Sequence, residues 1–140
     1  MSQLKGFANV VYPTKDLAAS VAAWKTVLGE DPAFQGDDIA VFTGNGVEVG
    51  LSSAPWVDHP LVFWKVDDIE QAHRDLVAKG ARPMVEVADG SLAELGSATV
   101  TNGDPETGIV TVPGGKLAVL KTADGSLLAL NQEVPMEWGS

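Results

Sequence analysis

The chain contains no cysteine, so disulfide bridges, thiolate metal ligands and a cysteine nucleophile are all excluded. Basic residues are scarce. Nine Lys and Arg stand against nineteen Asp and Glu, and the resulting net charge of −10 opposes binding to nucleic-acid phosphates or to anionic membranes. The same charge favours cationic or neutral ligands. No stretch approaches the roughly 18 consecutive apolar residues of a membrane-spanning helix, and the opening "MSQLKGFANVVYP" lacks a basic segment followed by a long apolar run. The expectation is a soluble, cytoplasmic protein with no nucleic-acid and no membrane partner. Phosphate-binding loops are missing too: "GNG" and "PGG" lack the spacing of a dinucleotide or P-loop, and no serine sits in a nucleophile elbow.

What the sequence does hold is enough apolar material for a core. In 140 residues, 45% are hydrophobic and 20% charged, with 15 Gly and 8 Pro to punctuate many short elements, which predicts one compact mixed domain over residues 1–140.

Within that length a pattern repeats. "YPTKDLAASVAAWKTVLGEDP" (12–32) aligns with "VDDIEQAHRDLVAKGARP" (66–83), so that Asp16 falls on Asp68, Leu17 on Ile69, Ser20 on Ala72 and Trp24 on Leu76. After a one-residue gap, Gly29 and Pro32 fall on Gly80 and Pro83. This is the signature of an internal duplication.

Each copy predicts a helix. Asp16 or Thr14 can cap the first and Asp67 or Asp68 the second, with Gln71 placed for a capping box, and Gly29 and Gly80 end them. Leu17, Val21, Trp24 and Leu28 form one apolar stripe; Ile69, Ala72 and Leu76 form another. Trp24 and Trp64 read as core residues, and His73 as a partly exposed helix residue beside the packing seam. Trp138 lies in the short tail "MEWGS".

Strands rich in β-branched and aromatic residues precede the helices, "FANVVY" (7–12) and "LVFWKV" (61–66). Others follow them: "IAVFT" (39–43) with "VEVGLS" (47–52) across Gly-Asn-Gly, "PMVEVA" (83–88), and "KLAVLKT" (116–122) with "SLLALNQ" (126–132) across Ala-Asp-Gly. Residues 89–115 hold two β-rich pieces, "SATVT" and "GIVTV", around the turn "NGDPETG", and read as an inserted hairpin or long loop, an edge decoration or a flap.

A strand, a helix and further strands, done twice, with the segments "FANVVYPTKDLAASVAAWKTVLG", "FWKVDDIEQAHRDLVAKGARP" and "KTADGSLLALNQ", resemble the vicinal oxygen chelate superfamily of glyoxalases, extradiol dioxygenases and bleomycin-resistance proteins. The resemblance implies an α+β fold of two βαβββ units, here about 5–54 and 59–134, forming a curved mixed sheet around a cavity. It also implies a homodimer, and in enzymatic members a divalent metal held by His and Glu from four strands. This chain departs from that donor set. Asn9, Leu61 and Ala129 stand at the positions that match the first-strand His, the second-unit His and the last-strand Glu, and only Glu48 matches a family carboxylate. An amide, a leucine and an alanine do not replace imidazole and carboxylate. No metal and no other cofactor is expected, and neither His59, in the loop "PWVDHP", nor His73 repairs the set.

Strand alternation from those matched positions puts Phe7, Asn9 and Val11, then Glu48, Gly50 and Ser52, then Leu61, Phe63 and Lys65, then Leu127, Ala129 and Asn131 inward. The expected ligand-binding residues are Asn9, Trp56, Leu61, Phe63, Lys65, Ala129 and Asn131, with Trp56 as a stacking wall and Glu48 as the candidate catalytic carboxylate. Two readings follow. The first is a metal-independent binding protein of the bleomycin-resistance type for a small, cationic or aromatic compound. The second is a metal-independent isomerase, lyase or cyclase with Glu48 as general base and Asn9 polarising a carbonyl.

Overall fold

The computed structural model describes residues 4–44, 47–97, 99–112 and 115–133. The turn residues of Gly-Asn-Gly at 45 and 46, and Trp138, lie outside the described residues. The chain divides into two compact units, one of residues 8–62 and one of residues from Phe63 onward together with those up to Phe7. The division falls inside a strand rather than in a linker.

In the first unit, strand β1 (Phe7–Pro13) leads into helix α1 (Leu17–Leu28), followed by β2 (Phe34–Gln35), β3 (Ile39–Gly44) and β4 (Val47–Ser52). Asp16 caps α1, its Oδ1 accepting from the Ala19 N–H at 3.1 Å. Thr14 supports that cap by accepting from the Asp16 N–H at 3.0 Å. Gly29 stops the helix in a left-handed conformation, φ 73°, and donates its N–H to the Lys25 carbonyl.

The strand order in this unit is β2-β3-β4-β1, antiparallel except that β1 runs parallel to β4. Val21 of α1 packs with Ala40, Phe42, Val49 and Leu51 from the sheet, joined by Leu17, Trp24, Leu28 and Tyr12. The Tyr12 and Trp24 rings lie 5.0 Å apart. Phe42 and Leu51 are each 1% exposed, and burial of side chains this size stabilises by about 1.5–3 kcal/mol apiece.

The second unit contains the end of β5 (Leu61–Lys65), α2 (Ile69–Ala78), β6 (Arg82–Glu86), β7 (Leu92–Glu94), β8 (Val110–Val112), β9 (Gly115–Lys121) and β10 (Leu127–Glu133). Asp68 rather than Asp67 caps α2, accepting from the Gln71 N–H at 3.1 Å. The capping box is half made, because the Gln71 side chain turns forward to Asp75 and Arg74. Lys79 is the C-cap, and Gly80 follows with φ 100°. The core joins Val66, Ile69, Ala72, Ile109, Ala118, Leu120 and Leu130, with Trp64 and Leu76 packed against it.

The strand order β5-β10-β9-β6 repeats the order β1-β4-β3-β2 of the first unit, again with the opening strand parallel to the closing one. The duplication is thus one of topology as well as sequence. Residues 89–115 lie where the first unit has only the short turn between β2 and β3. Their two strands do not form a hairpin with each other: β7 pairs with β6, and β8 pairs with β9. The piece expected as a strand at 97–101 is irregular among its described residues; at its end the Thr101 N–H and hydroxyl both donate to the Glu86 carbonyl of β6, next to an isolated bridge between Glu86 and Asn102.

His73 differs from its expected place. It is buried, 6% exposed, because the turn around Asp104–Gly108 folds back onto α2 and the backbone of Thr107 hydrogen-bonds with it. Asp104 shapes that turn by accepting from the Glu106 and Thr107 N–H groups. Gly108 lies so close to Val85 that a Cβ there would stand 2.7 Å from a Val85 methyl.

Candidate functional site

In each unit one sheet face is used up by the helix. The residues on the opposite face are the candidates for a site, and strand alternation decides which they are.

In the first unit the helix side takes Ala40, Phe42, Val49 and Leu51. The other side therefore carries Ile39, Val41 and Thr43 of β3, in register with Ser52, Gly50 and Glu48 of β4. Val11 stands beside Gly50, and their contact is close, since a Cβ on Gly50 would lie 3.1 Å from a Val11 methyl. Asn9 and Glu48 each lie one residue before the registered pair Val10 and Val49 on parallel strands, so they are neighbours on this face. Both are half-buried. Trp56 is half-buried in the segment after β4, whereas His59 is exposed and its Nδ1 lies 2.6 Å from Asp58 Oδ1. That contact holds the Asp58 carboxyl below the usual carboxylate range.

In the second unit the helix side takes Ala118, Leu120 and Leu130. The other side forms rows across the strands. Phe63, Ala129, Val119 and Met84 make one row; Lys65, Asn131, Leu117 and Val110 make the next. A third row runs from Leu127 to Lys121 and Arg82, and Arg82 is neutralised by Glu94 at 2.6 Å. The Ala-Asp-Gly turn fixes this register: Gly125 has φ 88°, and the Thr122 hydroxyl and the Ser126 backbone hold the Asp124 carboxyl below its ordinary range.

Of the residues expected to line a site, the structure pairs Phe63 with Ala129 and Lys65 with Asn131 in register, and sets Asn9 beside Glu48. Leu61, Phe63 and Lys65 share one face of β5, with the first two buried and the lysine exposed. Leu61 is 3% and Ala129 0% exposed, so they act as apolar filling beneath the surface. Sequence reasoning passed over Leu117, Val119, Val110 and Met84. The signal for the first two was present, because the Ala-Asp-Gly hairpin carries the phase of Ala129 onto Val119, but β8 and β6 need the tertiary pairing.

A metal of the kind the resemblance implies does not suit this donor set. Asn9, Leu61 and Ala129 offer one weak neutral donor and two hydrocarbons beside Glu48. Among the described residues, no group of three or more His, Cys, Asp or Glu side chains is placed to hold a metal ion. No helix formed by the described residues is long and apolar enough to cross a membrane.

Comparison with known proteins agrees with this architecture. No curated protein sequence matches the chain. Methylmalonyl-CoA epimerase from Mycobacterium tuberculosis superposes with a TM-score of 0.65 at 16% identity, covering 96% of this chain and 92% of its own. A glyoxalase/bleomycin resistance protein/dioxygenase superfamily member from Vibrio splendidus gives 0.57 at 18%, covering 91% and 99%. The Mn(II)-bound glyoxalase from Novosphingobium aromaticivorans gives 0.60 at 18%, with 99% of this chain matching only 44% of that longer one. At these identities the likeness is one of fold, a glyoxalase-like α+β architecture. The model of the Glyoxalase/Bleomycin resistance protein/Dioxygenase superfamily matches residues 6–102, and the chain belongs to that superfamily.

Proposed function

We propose that this protein is a metal-independent binding protein for a small, largely apolar and aromatic-bearing compound, of the bleomycin-resistance type. The observation that carries the reading is the donor set. Where the family resemblance puts metal-binding side chains, this chain has Asn9, Leu61 and Ala129, and two of the three are sealed hydrocarbon in the structure. A sheet face with apolar filling, a few polar groups and one carboxylate is how small-molecule sites are generally built. Glu48 is the acidic handle of the first unit and suits a basic group on the ligand. The family resemblance also supports a homodimer.

The test is a ligand screen by quenching of the four tryptophans, with metal analysis of the same preparation. Saturable binding of a cationic glycopeptide or planar aromatic drug by metal-free protein supports the reading. Stoichiometric metal, with binding lost on chelation, overturns it.

The second reading, a metal-independent isomerase, lyase or cyclase, has one observation in its favour. Glu48 and Asn9 are neighbours on the same face, the pairing that a general base and a carbonyl-polarising amide require.

A further inference from the structure

The second unit carries a lysine where an acid-rich chain has left it without a counter-ion. Lys5, Lys25, Arg82 and Lys116 each meet a carboxylate within 4.0 Å. Lys15, Lys65, Arg74, Lys79 and Lys121 make no such pair among the described residues, and of these only Lys65 and Lys121 stand on the face of the second unit turned from α2, Lys121 beside the Arg82–Glu94 pair and Lys65 beside an amide. Glu133, two residues beyond Asn131 on the same face of β10, lies outside ion-pair distance of it.

The surroundings of Lys65 run from polar to apolar in one direction. Across β5, β10, β9 and β8 the register sets Lys65, Asn131, Leu117 and Val110 side by side. Lys65 is exposed and the other three are half-buried. Strands lie about 4.8 Å apart, so the row spans about 14 Å, polar over its first two residues and aliphatic over its last two. Below it the row of Phe63, Ala129, Val119 and Met84 closes the sheet with hydrocarbon.

We infer that this row binds an amphiphilic carboxylate, an aryl- or alkyl-carboxylic acid whose anionic group meets the Lys65 ammonium and whose apolar body lies across Leu117 and Val110. The inference rests on the proposed binding function and gives the face of the second unit a ligand group of its own, distinct from the basic group that suits Glu48 in the first. Net charge points the other way, but a field of that kind is screened over about 8 Å at physiological salt, whereas a contact ion pair is decided by the nearest groups. In register beside Lys65 stands Asn131, an amide that brings no competing charge.

Calorimetric titration with three probes of one shape tests this: naphthylacetate, naphthylacetamide and naphthylethylamine. The expected result is that the carboxylate binds about tenfold or more tightly than its amide, as a charge-assisted contact provides. Lys65→Met, which keeps the length of the stem, should abolish that preference, and Lys79→Met on the far end of α2 should leave it unchanged. Equal binding of carboxylate and amide, tighter binding of the amine, or a preference that survives in Lys65→Met overturns the inference while leaving the binding function standing. Failure of all three probes to bind overturns the inference, and the binding function falls with it only if the ligands of the tryptophan-quenching screen fail as well.

Discussion

Gln132 on the last strand accepts a hydrogen bond from the Ile69 backbone N–H at 2.8 Å, across 63 residues of chain. Ile69 is the first residue of α2, and its N–H is one of the donors a helix start leaves without an intrahelical partner. Ile69 is also fully buried, so water is a poor substitute. The closing strand of the unit thereby anchors the opening turn of its helix. Gln132→Leu should lower stability by about 1–3 kcal/mol, the cost of a buried donor left unsatisfied. Urea unfolding followed by circular dichroism measures it, and a loss below a few tenths would mean that solvent reaches the Ile69 amide.

Gly108 is the second place where one atom decides the packing. Its φ of 80° disfavours any side chain, and the added methyl of Gly108→Ala would stand 2.7 Å from Val85 Cγ1. The turn that covers His73 would have to lift. A destabilisation of about 1–3 kcal/mol is expected, larger than that of Gly96→Ala, where φ is 94° but nothing lies within 4 Å of the new atom. Comparing the two variants by thermal unfolding separates the backbone effect from the clash.

His73 makes stability depend on pH in a defined direction. Burial lowers its folded pKa below 6.5, the Thr107 backbone hydrogen bond opposes that shift, and the Arg74 charge adds to it. The native state thus favours neutral imidazole, while the unfolded chain takes up a proton from about pH 6.5 downward. This contribution is fully present above 6.5 and is lost as pH falls through the folded pKa. Tm measured against pH should fall more steeply below that point in the native protein than in His73→Gln. Parallel curves would show that the imidazole stays neutral throughout or reaches solvent without cost.

Glu48 separates the two functional readings. In the binding reading, Glu48→Gln should weaken cationic ligands by about tenfold and leave neutral ones within twofold, the difference one charged contact makes. In the enzymatic reading the same change removes a general base and should lower turnover by about 10²–10⁴-fold with neutral-substrate affinity retained. Titration and rate measurement on the same variant decide between them.

Much of this molecule was legible before any coordinates. The duplication placed both helices, and Asp16 or Thr14 at the start and Gly29 at the end marked the limits of α1 because capping is a local interaction between a side chain and amides a few residues away, though the sequence did not choose Asp16 over Thr14. The choice between Asp67 and Asp68 was not legible, since both have the chemistry and only the backbone path chooses Asp68. The apolar stripes were legible as well, and Leu17, Val21, Trp24 and Leu28 all reach the first unit's core.

The candidate site divides along the same line. The family resemblance supplied the phase and strand alternation the period of two that together put Asn9, Glu48, Lys65, Ala129 and Asn131 inward, on what the structure shows as the faces turned away from the helices. They could not show that Ala129 is sealed while Lys65 stands exposed, or that Leu117 and Val110 continue the row begun by Lys65. Nor could they seat β8 against β9 or fold the Asp104–Gly108 turn over His73, which turned an expected surface residue into a buried one.

The sequence by itself determined the helices, the residues able to cap them and the paired units, since each of these depends on residue identity and spacing within a short stretch. The tertiary structure alone decided which strands became neighbours, which face residues were covered, and which of the unpaired lysines stands at the end of an aliphatic row. Those outcomes depend on contacts between segments tens of residues apart, where strand pairing and burial, rather than local propensity, set the energy.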